Sequence, residues 1–192
     1  MKKIISVKSM YLAVLFVSAI IFDGCKKDHD NGSSDAAGNY YVRFKVDGMN
    51  IEYNQGTEGK INTVDGNGRY ICQVIGLKQQ FVADKGTMGF VMTSTNPVNT
   101  SNTYVNYGSS SANIEKAILL QAARFDDNGT FFASWGDDYA TFGILSDTKV
   151  NFTEINSTYI KGTFSATIYK EIDGNSEKHT ITDGEFRVKI VR

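Results

Sequence analysis

The chain of 192 residues carries 20 basic and 21 acidic side chains, a formal charge of −1 that leaves no electrostatic footprint for nucleic acid. Its N-terminus is not part of that balanced composition. Lys2, Lys3 and Lys8 form a basic flank, and an apolar run follows from Met10 to Phe22, broken only by Ser18. As a helix this run spans roughly 20 Å, short of the ~30 Å hydrocarbon core that a stable membrane-spanning helix must cross. A positive flank, a short apolar stretch and a small residue at its end are the pattern of a secretory signal peptide, so residues 1–24 are expected to be removed.

The end of this segment, Phe22-Asp23-Gly24-Cys25, resembles the lipobox of bacterial lipoproteins, with a small residue directly before the cysteine. The resemblance implies that the Cys25 thiol is diacylated and the chain cut between Gly24 and Cys25. Two acyl chains at about 0.8 kcal/mol per buried methylene hold a protein durably to a membrane. The polar run 25–38, from Cys25 through Lys26, Lys27, Asp28 and His29 to Gly38, reads as a flexible tether with a reach of about 20 Å. His29 is expected to be solvated there. The charged cluster after the cysteine resembles the signal that sends Bacteroidota lipoproteins to the outer membrane, at the cell surface or on the periplasmic side. Loss of residues 1–24 leaves 17 basic and 20 acidic residues, a formal charge of −3.

Residues 39–192 are expected to form one all-β domain, an antiparallel β-sandwich or partly open β-barrel of hairpins. A domain of this size buries about 68–70% of its unfolded surface and needs neither a disulfide nor a metal to be stable. Alternation over Tyr40–Val46 is followed by Asp47-Gly48, a hairpin signal, and resumes at Met49, Ile51 and Tyr53. Asp65-Gly66-Asn67-Gly68 leads into Arg69–Leu77. Here Cys72 shares a face with Tyr70 and Val74 and reads as an inert core residue; with Cys25 lipidated it has no disulfide partner. Thr87–Thr93 is the next strand, and the only proline, Pro97, lies in the Asn- and Thr-rich loop beyond it.

Residues 112–125 fit both a helix and a strand, since Ile114, Ala117, Ile118, Ala122 and Phe125 recur at helical spacing. The flanking turns and the paired run Thr130–Trp135 favour a strand. Val150–Ile155, Tyr159–Tyr169 and His179–Thr182 follow. Asp183-Gly184 is then expected to turn the chain into a last strand with Phe186, Val188 and Ile190 facing in. Ile160-Lys161-Gly162-Thr163-Phe164-Ser165, Ile181-Thr182-Asp183-Gly184-Glu185-Phe186 and Phe44-Lys45-Val46-Asp47-Gly48 resemble a group of uncharacterised Bacteroidota lipoproteins. That resemblance implies architecture and address, and no reaction.

No nucleophile motif, zinc signature or phosphate loop stands in the sequence, so no catalytic residue, metal ligand or cofactor is expected. His179, between Lys178 and Thr180, is expected to be a surface or half-buried strand residue. Asp65-Gly66-Asn67-Gly68 begins like a calcium loop but lacks its later ligands, so a plain turn is expected. The acidic pair Asp126-Asp127 stands in a second loop. The remaining candidate is the loop Trp135-Gly136-Asp137-Asp138-Tyr139, where Trp135 and Tyr139 would offer rings, and Asp137 and Asp138 carboxylates, to a ligand. Three functional readings follow. The first is a non-catalytic module binding a glycan, peptide or lipid; the second is a structural or interaction protein of an envelope assembly; the last is a hydrolase using loop carboxylates.

Overall fold

The computed structural model describes residues 40–79, 86–106, 114–125, 130, 132–134, 148–170 and 177–192, and every regular element among them is a strand. In chain order these are β1 (Tyr41–Val46), β2 (Met49–Tyr53), β3 (Gln55–Val64), β4 (Tyr70–Leu77), β5 (Thr87–Ser94) and β6 (Thr103–Asn106). They continue with β7 (Ile114–Arg124), β8 (Phe132–Ser134), β9 (Lys149–Ile155), β10 (Tyr159–Tyr169) and β11 (Lys178–Ile190). The described part of the chain is therefore all-β. Asp47 and Gly48 take φ of 49° and 87°, the left-handed pair that a two-residue hairpin demands, and Val46 stands opposite Met49.

The ambiguous stretch is strand. β7 pairs antiparallel with β5 from Thr87↔Arg124 to Thr93↔Ile118. Periodicity alone could not separate a strand from a helix in so apolar a run, and the partner strand decides it. Two strands were not expected from sequence. β3 carries Gly56 and Gly59, its register slips twice against β4, and Asn62 within it has φ 54°, so it shows no clean alternation. β6 is only four residues long, in the Asn- and Thr-rich segment after Pro97.

Among the described residues the strands β3, β4, β5, β7, β6, β9, β10 and β11 are hydrogen-bonded in that order, and β11 pairs again with β3. The pairings thus close on themselves, which removes free edges from this part of the sheet. Most are antiparallel; the β6–β7 and β11–β3 pairs are parallel. β1 pairs with β11 and carries β2 on its other side, and β8 bridges β7 and β10.

Asp183-Gly184 is not the expected turn. Lys178–Ile190 is one continuous strand, and Thr182-Asp183 forms a bulge at which Asp183 takes φ 50°. Opposite it the β10 register jumps between Phe164 and Ala166. The extra residue reverses the alternation, so that Ile181 on one side and Phe186 and Val188 on the other are all buried. Without it, half of the strand would present its apolar side to water.

Rings from neighbouring strands and from strands across the core meet in one series. Phe90 of β5 packs on Phe186 of β11 at 5.5 Å between centroids and on Phe152 of β9 at 6.4 Å. Phe186 also touches Phe152 and Phe164, Phe164 touches Phe44, and Phe44 touches Tyr53. Tyr104 of β6 completes the series against Phe152 at 5.7 Å. Each terminal tyrosine satisfies its hydroxyl at the backbone: Tyr53 donates to the Arg124 carbonyl and Tyr104 accepts from the Asn99 N–H. The middle of the sheet is a packed core, as a small closed sheet of this order permits.

Glycines make room for two of these rings. Phe186 lies opposite Gly162 and Phe164 opposite Gly184 across the β10–β11 ladder. A Cβ on Gly162 would sit 2.5 Å from the Phe186 ring, and one on Gly184 would sit 2.7 Å from the Phe164 ring. Each phenylalanine therefore lies over the glycine directly across the ladder from it, which gives a packing reason for the Gly-x-Phe spacing in both segments.

Candidate functional site

The outward side of the β9–β10–β11–β1 sheet holds a group of interlocked polar and aromatic side chains. Register places Tyr41, Arg187, Lys161 and Glu154 in one row across β1, β11, β10 and β9. The next row is Arg43, Glu185, Thr163 and Asn151. These positions alternate with buried Val42, Phe44, Ile160, Phe164, Phe186 and Val188, so they face away from the core.

Arg187 lies over two rings, with its Cζ 4.3 Å from the Tyr159 centroid and 5.7 Å from that of Tyr40. Arg43 lies over Tyr41 at 4.6 Å and donates from Nε and Nη2 to Glu185. The Tyr159 hydroxyl donates to Glu154, which holds the Glu154 carboxyl below its ordinary range and raises the Tyr159 phenol. The face is thus a set of planar groups layered on one another, with side-chain freedom already spent in mutual contacts. It offers rings, guanidinium donors and carboxylate acceptors, and no activated nucleophile.

Comparison with family models, curated proteins and solved structures yields no match for this chain. The reading of its sites therefore rests on its own geometry.

A second cluster surrounds His179. Asp47, in the β1–β2 turn, binds β11 three times: its N–H donates to the Thr180 carbonyl, its Oδ1 accepts the Thr180 N–H, and its Oδ2 lies 2.6 Å from His179 Nδ1. His179 Nε2 lies 3.1 Å from Glu177 Oε1. The ring stands nearly perpendicular to Phe125 and Phe132, which stack on each other at 4.8 Å. Burial alone would lower the imidazole pKa, but the hydrogen bonds to Asp47 and Glu177 outweigh it and leave it above its ordinary value. Asp47 is lowered, first by its backbone bond to Thr180 and then by His179. As the imidazolium, with both nitrogens donating to carboxylates, the ring has no lone pair to serve as a base or a metal ligand.

Cys72 is fully buried between β4 neighbours, as alternation predicts, and burial pushes its thiol far above the ordinary range. Asp65 is consumed by its own turn: Oδ1 accepts the N–H groups of Asn67 and Arg69, and Oδ2 accepts from Arg69 Nε. Among the described residues no group of three or more His, Cys, Asp or Glu side chains converges as a metal site. Cys25, the loop with Trp135, Asp137, Asp138 and Tyr139, and Asp126-Asp127 lie outside the described residues. The outward tyrosine–arginine stack and the His179 cluster escape a reading of the sequence, because their members come from strands far apart in the chain.

Proposed function

We propose that the chain is a lipid-anchored protein of the bacterial outer membrane whose β domain is a non-catalytic binding module, taking a glycan on its outer face. The address rests on the signal-like N-terminus and on Cys25 after Gly24. The observation that supports binding at the face is the Tyr40–Arg187–Tyr159 stack with Glu154 beside it. Aromatic faces pack against sugar C–H groups while carboxylates and guanidinium groups take the hydroxyls. Because the stack is already ordered, a ligand would lose little side-chain entropy in binding there. The packed core argues against a ligand held within the closed sheet.

Calorimetric titration of the protein against a panel of oligosaccharides tests this reading. Binding that is lost in Arg187→Ala and Tyr159→Ala supports it. Binding that survives both and disappears in Trp135→Ala would move the site to the 135–139 loop. No binding across the panel would overturn the glycan assignment. Fatty-acid labelling tests the anchor: the label should vanish in Cys25→Ala, and a label that persists refutes lipidation at this residue.

A second reading, an interaction protein of an envelope assembly, draws on Met49, which stands 61% exposed at the β1–β2 turn, where β2 pairs only with β1 among the described strands. Chemical crosslinking in whole cells that captures a defined envelope partner through β2 would favour it.

A further inference from the structure

Two carboxylates flank one imidazole at both of its nitrogens, Asp47 at Nδ1 and Glu177 at Nε2. A carboxylate only accepts hydrogen bonds, and a neutral imidazole carries one N–H. In the neutral ring one nitrogen would therefore face a carboxylate oxygen lone pair to lone pair. Only the imidazolium satisfies both neighbours at once. We infer that His179 works as a proton-dependent clasp, which ties the β1–β2 turn to the joined ends of β10 and β11 and slackens when the ring is deprotonated.

The geometry says which side opens. Asp47 is the shorter partner at 2.6 Å and is itself fixed by two backbone bonds to Thr180, so the remaining N–H stays on Nδ1. Glu177 is at 3.1 Å and 52% exposed, so its carboxylate is the one that leaves. Glu177 also closes the β10–β11 ladder, where its carbonyl accepts the Lys170 N–H at 3.0 Å and its Oε2 meets Lys170 Nζ at 3.5 Å.

The described charged groups around the ring are few. Asp47 comes from the β1–β2 turn, Glu177 precedes β11, and Lys170, directly after β10, reaches the ring only through Glu177. Lys178 is exposed on the opposite side of the strand, and the Lys45–Asp183 pair lies beyond Thr180 along β11. Phe125 and Phe132, packed against the ring, are neutral, and Arg124 precedes Phe125. The raised His179 pKa adds stability that is complete below the ordinary histidine value and lost as pH rises through the folded value. The lowered Asp47 adds stability that is complete above the ordinary aspartate value and lost as pH falls through the folded value. The clasp is closed between these limits.

Proton NMR of the intact protein tests the inference, and it does not depend on the proposed ligand. His179 should titrate above the ordinary value of about 6.5, and Glu177→Gln should lower it by roughly 0.5–1 unit. Protection of the Lys170 amide from hydrogen exchange, corrected for intrinsic base catalysis, should fall across the same pH range. That step should disappear in Glu177→Gln, whose amide can donate to the neutral ring. A His179 titration at or below about 6.5 overturns the imidazolium assignment. Normal titration with unchanged Lys170 protection overturns the clasp.

Discussion

Phe164→Ala tests the core where rings from β1, β10 and β11 meet. The side chain is 4% exposed and packs on Phe44 at 6.1 Å and Phe186 at 6.4 Å between centroids. Truncating a buried phenylalanine costs about 3–5 kcal/mol through lost transfer energy and the cavity left behind. The cost falls toward the upper end here, because the residue across the ladder is Gly184 and has no side chain to move into the space. Against a total stability of about 5–15 kcal/mol this is a large fraction. In urea, at a slope near 2 kcal/mol per M, the midpoint should fall by about 2 M with the slope unchanged. A loss below about 1 kcal/mol would place the ring at the surface and refute the alternation assigned to β10.

Gly162→Ala should be destabilising although it adds one methyl group: its Cβ would lie 2.1 Å from the Asn151 carbonyl oxygen and 2.5 Å from the Phe186 ring. Overpacking costs about 1–3 kcal/mol or more, and a backbone atom cannot swing aside as a flexible side-chain tip can. Gly66→Ala, which meets nothing within 4 Å, is the control, and equal urea midpoints for the two variants would refute the close-approach argument. Native Cys72 should react with a thiol reagent only as fast as the protein unfolds, and rapid modification under native conditions would show that the β4 faces are reversed.

The parts legible in the sequence are those in which a strand keeps one phase along its length. β10 alternates without interruption from Ile160 to Ile168, and Cys72 falls into line with Val74 because β4 is paired residue by residue with β5. Asp47-Gly48 was legible as well, since two residues at positive φ between alternating runs close a hairpin. Asp183-Gly184 offers the same two letters and a similar φ at Asp183, yet the strand runs on. The difference lies in the partner: β10 is long enough to pair with both sides of the bulge, which no local pattern in β11 reveals. The His179 cluster joins residues 132 positions apart, and the residues flanking the histidine carry no trace of Asp47. The Tyr40, Arg187 and Tyr159 stack becomes visible only when register sets three strands side by side.

The inside and outside of β11 are mechanically one object. Phe186 cannot slide along the strand, because its ring is seated over Gly162 and held by Phe90 and Phe152 from across the core. Glu185 and Arg187, its neighbours on either side, point outward and are therefore held where that inner seat places them. Arg187 in turn fixes the relation between Tyr40, directly before β1, and Tyr159 at the start of β10. The spacing of the outer rings is thus inherited from glycine–phenylalanine packing beneath them, and it is not set by the exposed side chains alone. If the proposed glycan site lies on this face, its preorganisation is supplied by the core. On the proposed binding reading, the motifs Lys161-Gly162-Thr163-Phe164 in β10 and Asp183-Gly184-Glu185-Phe186 in β11 would bear on binding as well as folding: their glycines and phenylalanines pair across the ladder, and their outward residues lie on the face that register assembles.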